Sequence, residues 1–84
     1  MTNNDWRLQG QEQYLRGALL HWSTYHPRTV GNDHDHCEFC FVKFMEAAYA
    51  GTMQEGYTTD DGHRWICRQC FNDFKERFGF VISA

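Results

Sequence analysis

Cys37-Glu38-Phe39-Cys40-Phe41-Val42-Lys43-Phe44-Met45-Glu46 and Cys67-Arg68-Gln69-Cys70-Phe71-Asn72-Asp73-Phe74-Lys75-Glu76 share one pattern, Cys-x-x-Cys-Phe-x-x-Phe-x-Glu. Five of the ten positions are identical, so the chain carries an internal near-repeat. Cysteines separated by two residues lie in a turn tight enough to aim both sulfurs at one ion. Two such turns complete the tetrahedral all-sulfur set that Zn2+ prefers, with bonds of about 2.3 Å. The spacing Cys-x2-Cys-x26-Cys-x2-Cys therefore assigns Cys37, Cys40, Cys67 and Cys70 to one structural zinc ion. With four sulfurs on the ion, no coordination position is left for a substrate. Spacing alone does not separate zinc from iron in such a site. Disulfides and a dithiol redox role fit less well, since no thioredoxin-like strand-helix-strand pattern surrounds either pair.

Around the cysteines the sequence reads as two knuckle-helix units. The first helix is expected over Phe41 to Ala50, with Phe44, Met45 and Ala48 on its apolar side and Gly51 just past its end. The second is expected over Phe71 to Phe78, with its phenylalanines spaced i, i+3, i+7. Asp73 in its first turn, Lys75 and Arg77 toward its end and Gly79 beyond it all suit the helix dipole and cap. Between the units, Tyr57-Thr58-Thr59, the turn residues Asp60-Asp61-Gly62 and then His63 to Cys67 predict a β-hairpin that delivers Cys67 to the metal. Phe80-Val81-Ile82 is read as a short strand or a packing tail.

Upstream, Leu8, Leu15, Leu19 and Trp22 fall on one stripe of a helix between Asp5 and His26, widened by Tyr14, Ala18 and Tyr25. Gly10 and Gly17 weaken that helix, and the part from Tyr14 to Tyr25 also alternates as a strand would. Helix is the favoured reading. Pro27 ends it, and Thr29 to Asp33 reads as a loop. The expectation is one α+β domain over residues 1–84, with an N-terminal helical segment over 1–30 and a four-cysteine zinc module over 31–84.

Composition sets the outer bounds. Eighty-four residues make one small domain whose core needs a staple. At 42% hydrophobic and 17% aromatic residues the chain is too apolar for disorder. Its formal charge is −3, with eight Lys and Arg against eleven Asp and Glu, and four thiolates on a divalent ion add a further −2. A phosphate backbone wants a basic face, so nucleic acid is not expected as a partner. Arg64, Arg68, Lys75 and Arg77 come closest to such a face, but Asp60, Asp61, Asp73 and Glu76 lie among them. No secretory signal and no apolar run of membrane-spanning length is read, so a cytoplasmic, reducing location is expected, where four cysteines argue for metal.

Asp33-His34-Asp35-His36-Cys37-Glu38-Phe39-Cys40, Glu55-Gly56-Tyr57-Thr58-Thr59 and Trp65-Ile66-Cys67-Arg68-Gln69-Cys70-Phe71-Asn72-Asp73-Phe74-Lys75 resemble a family of small bacterial zinc-binding proteins. Arg7-Leu8-Gln9-Gly10-Gln11-Glu12 and Tyr14-Leu15 extend the likeness over nearly the whole chain. The resemblance implies a compact four-cysteine domain and no particular activity. The architecture is similar to a treble clef or zinc ribbon, with Cys37 and Cys40 on the knuckle and Cys67 and Cys70 opening a helix reached through a hairpin.

The functional expectation is a non-catalytic zinc-binding module for protein-protein interaction, with an inhibitor or immunity role against a basic enzyme as one form of it. Trp6, Tyr25, Phe39 and Phe80 are the candidate surface rings. The alternative is an HNH-like nuclease using Asp33, His34, Asp35, His36 and Asn72, although those enzymes carry the acid-histidine run between the cysteine pairs. A nucleic-acid-binding finger without catalysis is a third reading. With four cysteines present, His34 and His36 are expected to support the metal site by hydrogen bonding or to shape the loop.

Overall fold

A computed structural model describes residues 5–27 and 34–83. Thr29 to Asp33 lie outside the described residues, as do parts of the expected 1–30 segment. The order of elements is α1 (Glu12–Leu15), β1 (Leu19–Thr24), β2 (Asp35–His36), β3 (Lys43–Phe44), β4 (Thr52–Met53), β5 (Glu55–Thr59), β6 (Trp65–Ile66), α2 (Arg68–Phe78) and β7 (Val81–Ile82). One sheet has the order β6-β5-β1-β7 and a smaller one the order β2-β3-β4. The result is a small α+β fold.

The long N-terminal helix does not form. Gly10 and Gly17 take φ of 88° and 69°, left-handed values that break a right-handed helix on both sides of the single turn α1. The strand alternative weighed for Tyr14 to Tyr25 wins over its later part, Leu19–Thr24, while Tyr14 and Leu15 stay in α1. β1 runs antiparallel to β5 in the register Leu20–Thr59 to Thr24–Glu55, burying Leu20 and exposing Leu19 and Trp22. β7 adds in parallel on the other side of β1, so the tail is a strand.

The helix after the first knuckle is also absent. Phe41 sits at φ 65°, and that single left-handed residue turns the chain back on itself. The Cys37 N–H then donates to the Val42 carbonyl at 2.9 Å. Lys43 and Phe44 pair antiparallel with His36 and Asp35, and parallel with Thr52 and Met53. Gly51, expected as a helix cap, sits at φ 79° in the turn leading into β4.

The second unit matches expectation. β5 and β6 form the hairpin, with Asp61 Oδ1 accepting from the Thr59 hydroxyl at 2.6 Å and from the His63 N–H at 2.9 Å. α2 begins three residues ahead of Phe71, since Cys67 itself is the N-cap and its sulfur accepts the Cys70 N–H. Gly79, at φ 66°, closes the other end, and the N–H groups of Gly79 and Phe80 both donate to the Lys75 carbonyl.

The core is aromatic and lies in two connected parts. Phe71, Phe74 and Phe78 of α2 are buried, and Phe71 stacks on Tyr57 of β5 with ring centroids 3.9 Å apart. Tyr25, Phe44 and Trp65 join the two sheets, with Tyr25 edge-on to Trp65 at 5.0 Å and its hydroxyl donating to Asp35 at 2.8 Å. Gly56 lets β5 pass under this cluster. A Cβ there would stand 2.6 Å from Phe44 Cε2 and 3.0 Å from the Ile66 carbonyl oxygen, so no side chain fits without moving both.

Candidate metal centre

The two sheets meet where the cysteines are. Cys37 follows β2 and forms an isolated bridge to Trp65, and the Glu38 N–H donates to the Trp65 carbonyl at 2.8 Å. That docks the knuckle on β6, just ahead of Cys67. Cys70 then follows in the first turn of α2. The sulfurs of Cys37, Cys40, Cys67 and Cys70 all lie within 4.8 Å of one another, with Cys40 and Cys67 at 3.7 Å. Sulfurs at the corners of a tetrahedron with 2.3 Å bonds to zinc stand about 3.8 Å apart, so the cluster has the size of a four-thiolate metal site. These four cysteines could hold one metal ion.

Without a cation, the surroundings favour ionised sulfur at Cys37 alone among the shifted thiols. Cys37 Sγ accepts from the N–H groups of Phe39 at 3.4 Å and Cys67 at 3.5 Å, and Cys67 Sγ accepts from Cys70 at 3.5 Å. Hydrogen bonds from Cys67 and Cys70 pull the Cys37 thiol far below its ordinary range. Sharing that thiolate pushes Cys67 up to about 11, and the neighbouring Cys37 and Cys67 sulfurs raise Cys70 further. Four negative sulfurs cannot gather on their own. A divalent cation among them would reverse the upward shifts, because coordination displaces thiol protons.

The N-terminal segment reaches this centre. Arg7 Nη1 donates to Cys70 Sγ at 3.5 Å and to Asp73 Oδ2 at 2.9 Å, while Nε and Nη2 grip the Asp5 carboxylate at 2.9 and 2.6 Å. These hydrogen bonds hold the Asp5 carboxyl down at about 2 and lower that of Asp73. The buried Gln11 amide donates to the Arg7 carbonyl at 2.7 Å and to the Glu38 carbonyl at 3.0 Å, tying the segment to the knuckle. Neither residue carries a local signal in the sequence. Arg7 and Cys70 are 63 positions apart.

The histidines stand elsewhere. The His34 and His36 rings pack edge-on at 5.1 Å, and among the described residues the metal-sized cluster contains the four cysteines and no histidine. His36 and Asp35 line a hollow of about 560 Å3 beside the knuckle, with Tyr14, Glu38 and Phe41. Asn72 lines a different one of about 540 Å3, with Trp22, Glu55 and Arg68. The residue types of the nuclease alternative are thus not gathered at one hollow, and Asp33 lies outside the described residues.

The arginines of the would-be basic face are divided as well. Arg64 stacks over Tyr14 at 4.0 Å and meets Glu38 at 3.4 Å, Arg68 caps Trp22 at 4.7 Å, and Arg77 reaches Glu12 at 3.5 Å. Of the four expected surface rings, Trp6 is 62% exposed and Phe80 half-buried, but Tyr25 and Phe39 are fully buried. Phe41, expected on a helix face, is instead 51% exposed, with its ring 6.3 Å from that of Trp6.

Among the described residues no helix is long and apolar enough to cross a membrane. No family model, curated protein or solved structure matches this chain.

Proposed function

We propose that this chain is a non-catalytic, zinc-stapled module of treble-clef type, related to small bacterial four-cysteine proteins, that acts in the cytoplasm by binding another protein. The carrying observation is the closed site: four sulfurs within 4.8 Å, three of them on buried residues. Zinc is the metal favoured by an all-thiolate tetrahedral set with no open position. The element order supports the treble-clef reading, with a knuckle between β2 and β3 and a hairpin leading into a helix that carries the second pair.

The binding role is supported at Phe41. An aromatic residue in the left-handed region costs roughly 1–2 kcal/mol that glycine would not. Its ring is absent from the buried core and stands half-exposed beside Trp6. A strained, exposed ring beside a second exposed ring on an acidic protein is the kind of anchor that protein interfaces use. Phe41→Gly is therefore expected to raise the stability of the metal-loaded protein by about 1 kcal/mol in a denaturant titration. A loss of stability would make the ring part of the fold and remove this support.

Cobalt substitution tests the closed site. The Co2+ form is expected to give a tetrahedral four-thiolate visible spectrum that excess azide or imidazole leaves unchanged. A spectrum that shifts with either would reveal an exchangeable position and overturn the non-catalytic reading.

A further inference from the structure

We infer that Arg7 is a guanidinium cover on the metal centre, positioned to neutralise and shield the Cys70 sulfur. The inference rests on the metal reading above. A divalent ion on four thiolates leaves a net charge of −2, and each sulfur keeps lone pairs that seek donors. Cys37 and Cys67 draw theirs from nearby backbone N–H groups. Cys70 sits inside α2, where the next N–H, that of Phe71, is already given to the Cys67 carbonyl at 2.9 Å. The charged donor that reaches Cys70 from outside the cluster is Arg7 Nη1, at 3.5 Å.

The guanidinium is held by several partners besides the sulfur. Asp5 binds it through two nitrogens, Asp73 through a third contact, and the Phe74 ring lies 4.5 Å beneath it. Only 17% of the Arg7 side chain is exposed. A single surface ion pair would not need this much support. The fork matters, because one ammonium cannot span two carboxylates and a sulfur in a plane. Cys40 is the one partly exposed cysteine of the four. Attack on the centre by a chelator or electrophile is therefore expected to begin at Cys40, with Cys70 protected.

The test uses the full chain loaded with zinc. Metal transfer to 4-(2-pyridylazo)resorcinol is timed, and N-ethylmaleimide adducts are mapped to each cysteine by mass spectrometry. Arg7→Met, which keeps the apolar stem, is expected to speed transfer by roughly tenfold or more and to raise Cys70 labelling selectively toward that of Cys40. Should Arg7→Met fail to fold, Arg7→Lys serves, and its expected Cys70 labelling is closer to that of an uncovered sulfur than to wild type. Unchanged transfer and labelling in a variant that carries one ion would overturn the inference alone. Equal acceleration at all four cysteines would assign Arg7 a merely structural role and also overturn it. A wild-type chain without metal would instead remove the reading beneath it.

Discussion

Cys67→Ser is expected to leave the chain unfolded at 25 °C, although serine is nearly the same size and caps helices well. Cys67 has two roles here: its sulfur belongs to the four-cysteine cluster, and it also caps α2 by accepting the Cys70 N–H. Serine retains the cap, whose loss would cost about 1 kcal/mol, so the substitution isolates the sulfur. Structural zinc in small finger peptides is worth on the order of 10–16 kcal/mol, which matches or exceeds the roughly 5–15 kcal/mol that holds a whole domain together. The cap is minor beside that. Far-UV dichroism and amide proton dispersion check the outcome. A Cys67→Ser chain with native spectra and no bound zinc would mean that the aromatic core suffices without the metal.

Phe39→Ala is expected to cost about 3–5 kcal/mol in the metal-loaded protein, the usual range for deleting a buried ring. Phe39 is fully buried although it lies between two cysteines of the cluster in a tight turn. Its ring meets Phe74 at 4.8 Å, Phe78 at 5.2 Å and Phe80 at 6.4 Å, so the knuckle is bolted to α2 and the tail through this one side chain. Denaturant titration at fixed free zinc measures the loss, since free metal enters the stability of any metal-linked fold. A change below about 1 kcal/mol would show that coordination and the backbone ties to Trp65 hold the knuckle without this ring.

The two halves of the near-repeat explain what the sequence reveals and what it hides. In the second, the i, i+3, i+7 phenylalanines, the cap at Gly79 and the hairpin turn at Asp61 are all local signals, and α2 and the hairpin form where those signals lie. The first half has the same Cys-x-x-Cys-Phe-x-x-Phe pattern but no helix. Phe71 continues into helix, whereas its counterpart Phe41 adopts φ 65° because Cys37 must bond Val42 to close the knuckle on a strand. The shared motif itself does not distinguish the two. Pairing with β2 and β4 decides it, and those partners are set by the tertiary fold.

The N-terminal segment departs from expectation for a different reason. Its apolar stripe satisfies a helix period, yet its Tyr14 to Tyr25 part also alternates as a strand would, and five paired positions on β5, Leu20 to Thr24, outweigh the helix there. The four cysteines are legible, since their chemistry depends on spacing more than on the intervening fold. The Arg7 contact is not, because it exists only once residues at the two ends of the chain have been folded together.

The proposed function requires that one zinc ion, held by the clustered Cys37, Cys40, Cys67 and Cys70, keeps this chain folded. Native mass spectrometry of the purified chain, paired with far-UV dichroism before and after chelator treatment, puts that to the proof. One zinc per chain is expected, with the ion and the native dichroism lost together. Less than one zinc per chain, or native dichroism and thermal stability after the metal is stripped, would refute it.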